Sequence, residues 1–228
     1  MDYNNREILT TILRVFNDLN ILSDMILIGS WAEMFFEYEF GGYVSAMQTM
    51  DIDFYIPNVN IKKNPIDLIS VLDDEGFIYD EELLTQKSKF YGKAGYEIEF
   101  LANICKLQTP TTPIRHLKVN AECLPYLDII QHNVMSVKIF NTDIEFYIPT
   151  PGAYIIHKLI INSDRKEFKK IKDIRAVLNL LPYVKRSEIY SKELKEIYGK
   201  LNLKRKKMII RTCLKYEIDL FEHDMDSL

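Results

Sequence analysis

Cysteine is scarce in this 228-residue chain: Cys105, Cys123 and Cys213 are widely spaced and form no Cys-x-x-Cys pair. An odd number without close pairs argues against a disulfide framework and against a zinc site, and predicts three reduced packing residues. The four histidines, His116, His132, His157 and His223, have no zinc-ligand spacing with one another or with the cysteines, which sets zinc-hydrolase chemistry aside. No apolar run reaches the roughly 18 residues needed to cross a bilayer. The first residues, Met1-Asp2-Tyr3-Asn4-Asn5-Arg6-Glu7, lack the basic-then-apolar pattern of a secretory signal, so the expectation is a cytoplasmic protein with no membrane partner. Gly-x-x-x-x-Gly-Lys-[Ser/Thr] and Gly-x-Ser-x-Gly are both missing, which argues against a P-loop enzyme and an esterase-type hydrolase. Internal repeats and low-complexity segments are missing too.

What is present is ample apolar material, 47% of residues, enough for one large domain or two small ones. Its charge is divided unevenly. Residues 1–150 carry 11 Lys and Arg against 22 Asp and Glu, whereas residues 151–228 carry 18 against 11. An acidic half beside a basic one suits a polyphosphate substrate, although a lysine-rich solvated helical surface would look the same.

Hydrophobic periodicity predicts a helix over residues 5–19, then a strand at Met25–Ile28 and a helix from Trp31. A loop over 41–50 leads to a strand at Asp51–Ile56. A helix capped by Asn64 with Pro65 in its first turn should run to Asp74. Lys89–Tyr91 and Tyr96–Leu101 read as a hairpin, and so do Val134–Phe140 and Asp143–Ile148. Two prolines and three threonines mark 108–120 as a loop, followed by a short helix over 121–130. Beyond Pro149-Thr150-Pro151 the pattern is helical: 153–161, 168–181 stopped by Pro182, 187–198 and 203–220. The expected architecture is α+β, with a mixed-sheet α/β domain over 1–150 followed by a helical domain over 151–228.

Two stretches carry chemistry. Ile28-Gly29-Ser30 ends a strand and turns into a helix, where free backbone N–H groups can meet an anion. Asp51-Ile52-Asp53 sets two carboxylates on one face of a strand, where they repel unless a cation sits between them. Magnesium is the hard, oxygen-seeking cation that commonly does this beside phosphates. Further on, Tyr96, Ile98 and Phe100 alternate with Glu97, Glu99 and Leu101, so two more acids share a face.

Hydrophobic-Gly-Ser, then Met50-Asp51-Ile52-Asp53-Phe54, then a third strand acid resembles the nucleotidyltransferase superfamily with the DNA polymerase β-like fold. The third carboxylate is Glu99, in Ile98-Glu99-Phe100, or else its neighbour Glu97. The interval from Ser30 to Asp51 is longer than in the most compact members. Ile148-Pro149-Thr150-Pro151 leading to His157-Lys158, with Arg165-Lys166 and Lys172-Asp173-Ile174-Arg175, resembles bacterial nucleotidyltransferases of the abortive-infection and toxin-antitoxin type. The resemblance covers about residues 20–182.

It implies two magnesium ions held by Asp51, Asp53 and Glu99, which would also be the catalytic residues, with an NTP as substrate. Gly29, Ser30 and Lys158 would grip the nucleotide phosphates, and Lys172 and Asp173 would line the same cleft. A nucleoside monophosphate would pass to an acceptor hydroxyl, on a small molecule, a protein or a tRNA, and pyrophosphate would leave. The rival reading is an inactive module of the same fold that binds RNA or a protein through Lys169-Lys170-Ile171-Lys172 and Lys204-Arg205-Lys206-Lys207.

Overall fold

The structure, a computed structural model, describes residues 3–45, 49–92, 95–103, 109–139 and 142–221. Its centre is a mixed sheet whose nine described strands are β1 (Ile26–Ile28), β2 (Asp51–Tyr55), β3 (Ile78–Glu81), β4 (Ser88–Tyr91), β5 (Glu97–Asn103), β6 (Thr111–Ile114), β7 (Val119–Leu124), β8 (Val134–Lys138) and β9 (Glu145–Pro149). The spatial order is β3-β4-β5-β2-β1-β9-β8, and the β6–β7 hairpin joins the far end of β5 through β7. Strand β2 is antiparallel to β1 and parallel to β5, while β9 runs parallel to β1.

Alternation in β2 and β5 decides which face is which. Ile52, Phe54, Ile98 and Phe100 are buried beneath helix α1 (Tyr3–Asp18), whose stripe of Leu9, Ile12, Leu13 and Phe16 fills that side. The Phe16 ring meets Phe54 edge-on at 5.0 Å. The opposite face carries Asp51, Asp53, Glu97 and Glu99 at one end. At the other end a small apolar cluster of Ile26, Ile28, Tyr55 and Leu101 is closed by Leu127 and Ile130 of the segment around helix α5 (Asp128–Gln131).

Between β1 and β2 run two short helices, α2 (Gly29–Glu33) and α3 (Phe36–Glu39). The expected helix thus begins at Gly29, not Trp31, and is broken around Met34 and Phe35. Helix α4 (Leu68–Asp74) starts later than expected, because Asp67, not Asn64, caps it by accepting the Ser70 N–H at 3.3 Å. The Ile66 N–H is already committed to the His116 carbonyl at 2.7 Å, which holds the preceding stretch out of the helix.

Two further expectations are corrected. The 108–120 segment contains β6 rather than only a loop, and Pro113 is accommodated because β6 pairs on one side alone and needs no second ladder. Residues 119–124 then form β7, recruited by β6 and by the end of β5, which leaves only Asp128–Gln131 for the helix. The tips of both predicted hairpins, at 93–94 and 140–141, lie outside the described residues, but their strands pair antiparallel as expected. Cys105 also lies outside them, while Cys213 is a buried free thiol and Cys123 is a half-buried residue of β7.

From Pro151 onward the chain is helical. Thr150 caps α6 (Pro151–Ile161) with its hydroxyl on the Ala153 N–H, and Pro151 occupies the first turn, where a missing N–H costs nothing. Every residue of α6 is buried, between β9 and the helices α7 (Glu167–Arg186), α8 (Glu188–Lys200) and α9 (Leu203–Lys215). Pro182 does not stop α7. Its apolar face continues through Leu180 and Leu181 to the fully buried Val184, and that packing outweighs one lost hydrogen bond. One hydrophobic cluster joins the sheet to these helices, and no described helix is long and apolar enough to cross a membrane.

Candidate active site

Gly29 follows β1 with φ +71, a conformation that side chains with a Cβ rarely adopt. A Cβ there would stand 2.8 Å from Asp53 Oδ2, so this residue must be glycine for two independent reasons. The close approach follows from register, since Ile28 and Asp53 are partners across β1 and β2. Ser30 is buried behind Gly29 in the first turn of α2. Three residues on, the buried Glu33 accepts the Tyr43 hydroxyl at 2.6 Å and the Tyr154 hydroxyl at 2.7 Å, which ties α2 to the following loop and to α6.

Parallel pairing of β2 with β5 sets Asp51 opposite Glu97 and Asp53 opposite Glu99. Antiparallel pairing of β4 then sets Lys89 opposite Glu99. The row across three strands therefore reads Asp53, Glu99, Lys89. Lys89 contacts Glu99 Oε1 at 3.0 Å and is also paired with Glu97. Lys87, one residue before β4, contacts Glu99 Oε2 at 2.7 Å and is also paired with Glu122 of β7.

These neighbours give the acids different affinities for protons. Burial, then the charges of Glu99 and Asp51, push Asp53 up to about 7, while Lys87 and Lys158 pull it back. Burial would raise Glu99 as well, but a hydrogen bond shared with Glu97 and the two lysine ammonium groups outweigh it and hold Glu99 at about 2. Glu97 takes the opposite share of that coupling and is raised, by burial first and by Glu99 next.

On the other side of the aspartates stands α6. Lys158, buried, donates to Asp173 Oδ1 at 2.6 Å, and Arg165 Nε lies 3.1 Å from Asp173 Oδ2. The Lys158 ammonium also sits over the Tyr154 ring, 5.4 Å from its centre. His157 is driven down to about 3 by burial and by the charges of Lys158 and Arg165, so it is a neutral imidazole, with Nε2 buried and unpartnered. Lys172 is half-buried and lowered by burial and by Lys158, against the pull of Asp173, Asp51 and Asp53.

These groups surround a cleft of about 560 Å³. Of the residues singled out from sequence, Gly29, Asp51, Asp53, Glu97, Glu99 and Lys158 form its wall. Ser30, Lys172 and Asp173 do not line it. His157 and Arg165, both within the stretches that carried the family resemblance, also line the cleft, as do Lys87, Lys89 and Glu122, which no motif marked. The lysines had one legible signal: they alternate on the hairpin strand that pairs with the strand of Glu97 and Glu99, a pattern of opposite charges across a ladder.

Two oxygen-donor side chains that repel each other, one of them raised to about 7 by burial and its acidic neighbours, fit a hard divalent cation. Among the described residues, however, no three Asp, Glu, His or Cys side chains are grouped closely enough to enclose one. Glu99 is the acid in register for the third position, and both its oxygens face lysines.

Acids on neighbouring parallel strands, facing a glycine turn on a mixed sheet backed by helices, make a frame suited to phosphate-transfer chemistry. The family model described as Nucleotidyltransferase matches residues 7–201, and the chain belongs to that family. Comparison with curated protein sequences returned no match. Among solved structures, ANT(2'')-Ia in complex with adenylyl-2''-tobramycin aligns with a TM-score of 0.51 at 10% identity, over 91% of this chain and 98% of that one. The solution structure of the antibiotic-resistance factor ANT(2'')-Ia gives 0.48 at 11% identity, over 95% of each chain. An antigenic nucleotidyltransferase-like protein from Paracoccidioides brasiliensis gives 0.46 at 14% identity, over 90% of this chain and 91% of that one. The first of these likenesses speaks to fold alone, and it agrees with the mixed α+β architecture.

Proposed function

We propose that this protein is a magnesium-dependent transferase that moves a nucleoside monophosphate from an NTP to an acceptor hydroxyl and releases pyrophosphate. The observation that carries this reading is the register that sets Asp51 and Asp53 beside Glu97 and Glu99 on two parallel strands, with Asp53 raised to about 7 by burial and by its acidic neighbours. Asp51, Asp53 and Glu99 would hold the metal, two ions in this reading. When bound, the metal would neutralise the phosphates and lower the pKa of the acceptor hydroxyl.

In this division of labour residues 1–150 supply the carboxylates and residues 151–228 the cations that face phosphate. Lys158 contributes a point charge whose position is set by Asp173, Arg165 and Lys169 extend that positive wall, and Lys172 adds charge from outside the cleft lining. Gly29 brings its peptide onto the cleft wall, and Ser30 shapes the turn behind it. Glu99, in register with Asp53, would serve as the third ligand.

If the triphosphate takes the α6 side, the acceptor enters by β4 and β5. Glu97, Glu99 and Glu122 on that side are all paired with Lys87 or Lys89. A polycation such as tobramycin, present as its adenylyl derivative in the ANT(2'')-Ia complex, would find no free carboxylate among these three. An RNA acceptor, long enough to reach from β4 and β5 across the cleft to α7, is favoured by a separate observation. On α7, Phe168 is 65% exposed between the exposed Lys166 and Lys169, a ring for stacking beside charges for phosphate. The Lys204–Lys207 run fits less well, because Arg205 is bound to both oxygens of Asp128, at 2.7 and 2.8 Å.

The test is incubation with each labelled NTP, magnesium and total cell extract, followed by identification of whatever becomes labelled. Label in an acceptor with stoichiometric pyrophosphate supports transfer. Release of free phosphate or nucleoside monophosphate alone points instead to a phosphohydrolase. RNA binding that ignores loss of the carboxylates, with no labelled product, supports the inactive module.

A further inference from the structure

We propose that Lys87 and Lys89 are positioning residues that hold Glu99 away from the metal position in the nucleotide-free protein, and that Glu99 joins the site by exchanging these lysines for the cation. The proposal rests on the metal-dependent reading above. Two lysines serve three carboxylates, and Glu99 is the one that both lysines share. If Glu99 leaves, Lys87 keeps Glu122 and Lys89 keeps Glu97, so neither ammonium group loses its last partner. Departure of Glu97 or Glu122 would not free the acid beside Asp53, because Asp53 is in register with Glu99. The surplus acid is therefore also the correctly placed one.

Burial makes the arrangement consequential. The Glu99 and Lys87 side chains are only 14% and 10% exposed, so an ammonium group left there without a carboxylate would be costly. Glu122 gives Lys87 a second partner and removes that cost. With both Glu99 oxygens occupied, a cation entering the nucleotide-free protein meets Asp51 and Asp53 alone, and the absence of any three-acid grouping among the described residues agrees with this.

Calorimetric titration of Mn²⁺ into the nucleotide-free protein tests the exchange. Lys87→Met should tighten Mn²⁺ binding by about fivefold or more, Glu99→Gln alone should change it by less than about threefold, and the gain should vanish when both are combined. Lys89→Met is read in the same way if Lys87→Met lowers the thermal melt too far to titrate. Equal or weaker binding by the lysine variants, a gain that survives Glu99→Gln, or no Mn²⁺ binding in any variant would overturn the exchange. The transferase reading is judged separately, by nucleotide transfer in the wild-type protein, so one can fail while the other stands.

Discussion

Asp53 and Glu99 are register partners on adjacent parallel strands, yet one carboxyl is pushed up to about 7 and the other down to about 2. The difference lies in what else each touches. Glu99 is buried too, but a hydrogen bond shared with Glu97 and two lysines outweigh burial, whereas Asp53 has burial, two like charges and only the charges of Lys87 and Lys158 in opposition.

This makes stability depend on pH with a definite sign. Asp53 binds its proton more tightly in the folded chain than its ordinary 3.8, so its contribution to stability is lost as pH rises from about 4 to 7 and is constant above that. Glu99 acts in the opposite sense, but only as pH falls below its ordinary 4.5. Asp53→Asn should therefore be more stable than wild type at pH 8, by about 1–2 kcal/mol once solvent screening of the half-buried group is allowed for, with the gap shrinking to less than half by pH 5. Denaturant melts at the two pH values check this, and an Asn variant less stable at pH 8 would contradict it.

Transfer should fail with the aspartates. Asp51→Asn or Asp53→Asn is expected to lower labelled-nucleotide transfer by about three orders of magnitude while the thermal melt is retained or raised. Transfer at wild-type rate by either variant would remove the pair from the chemistry.

Lys158 joins function to stability. Its pair with Asp173 leaves the two side chains 9% and 2% exposed, so Lys158→Ala should cost about 2–3 kcal/mol in denaturant melts, with Arg165 limiting the loss, and should also weaken nucleotide binding. Adding Asp173→Asn should recover part of the stability but none of the binding. Unchanged nucleotide affinity in the single variant would take Lys158 out of the site.

Gly29→Ala meets both a left-handed backbone and Asp53 Oδ2 at 2.8 Å. The expected cost is about 1–2 kcal/mol, with weaker Mn²⁺ binding because the carboxylate must move. A variant that binds Mn²⁺ as tightly as wild type would show that Asp53 does not need its present position.

Tobramycin should not become labelled when offered with each NTP and magnesium, because the carboxylates that would receive its amines are already paired. Mass spectrometry of the reaction decides it, and adenylylated tobramycin would overturn the argument from neutralisation.

Much of the fold was legible because alternation and turn chemistry are local. Ile52 and Phe54 against Asp51 and Asp53, the hairpin strands at 88–103, and the helical run beyond Pro151 could all be read along the chain. Segments 108–124 and 64–67 could not. Pro113 sits in a strand because β7 lies on one side and nothing is needed on the other, and Asp67 caps α4 because the Ile66 N–H is already taken by the His116 carbonyl. Both outcomes depend on distant partners.

The sequence by itself determined which residues carry charge on which face of each strand, and that Gly29 ends β1 in a turn, because those properties follow from the two-residue period of a strand and from the conformational freedom of glycine. Only the tertiary structure decided that Asp53 has Glu99, and not Glu97, as its neighbour, since register is set between strands. The same is true of Lys87, Lys89 and Glu122, which come from separate strands and meet only when the sheet closes. Their meeting gives two adjacent carboxylates such different affinities for a proton.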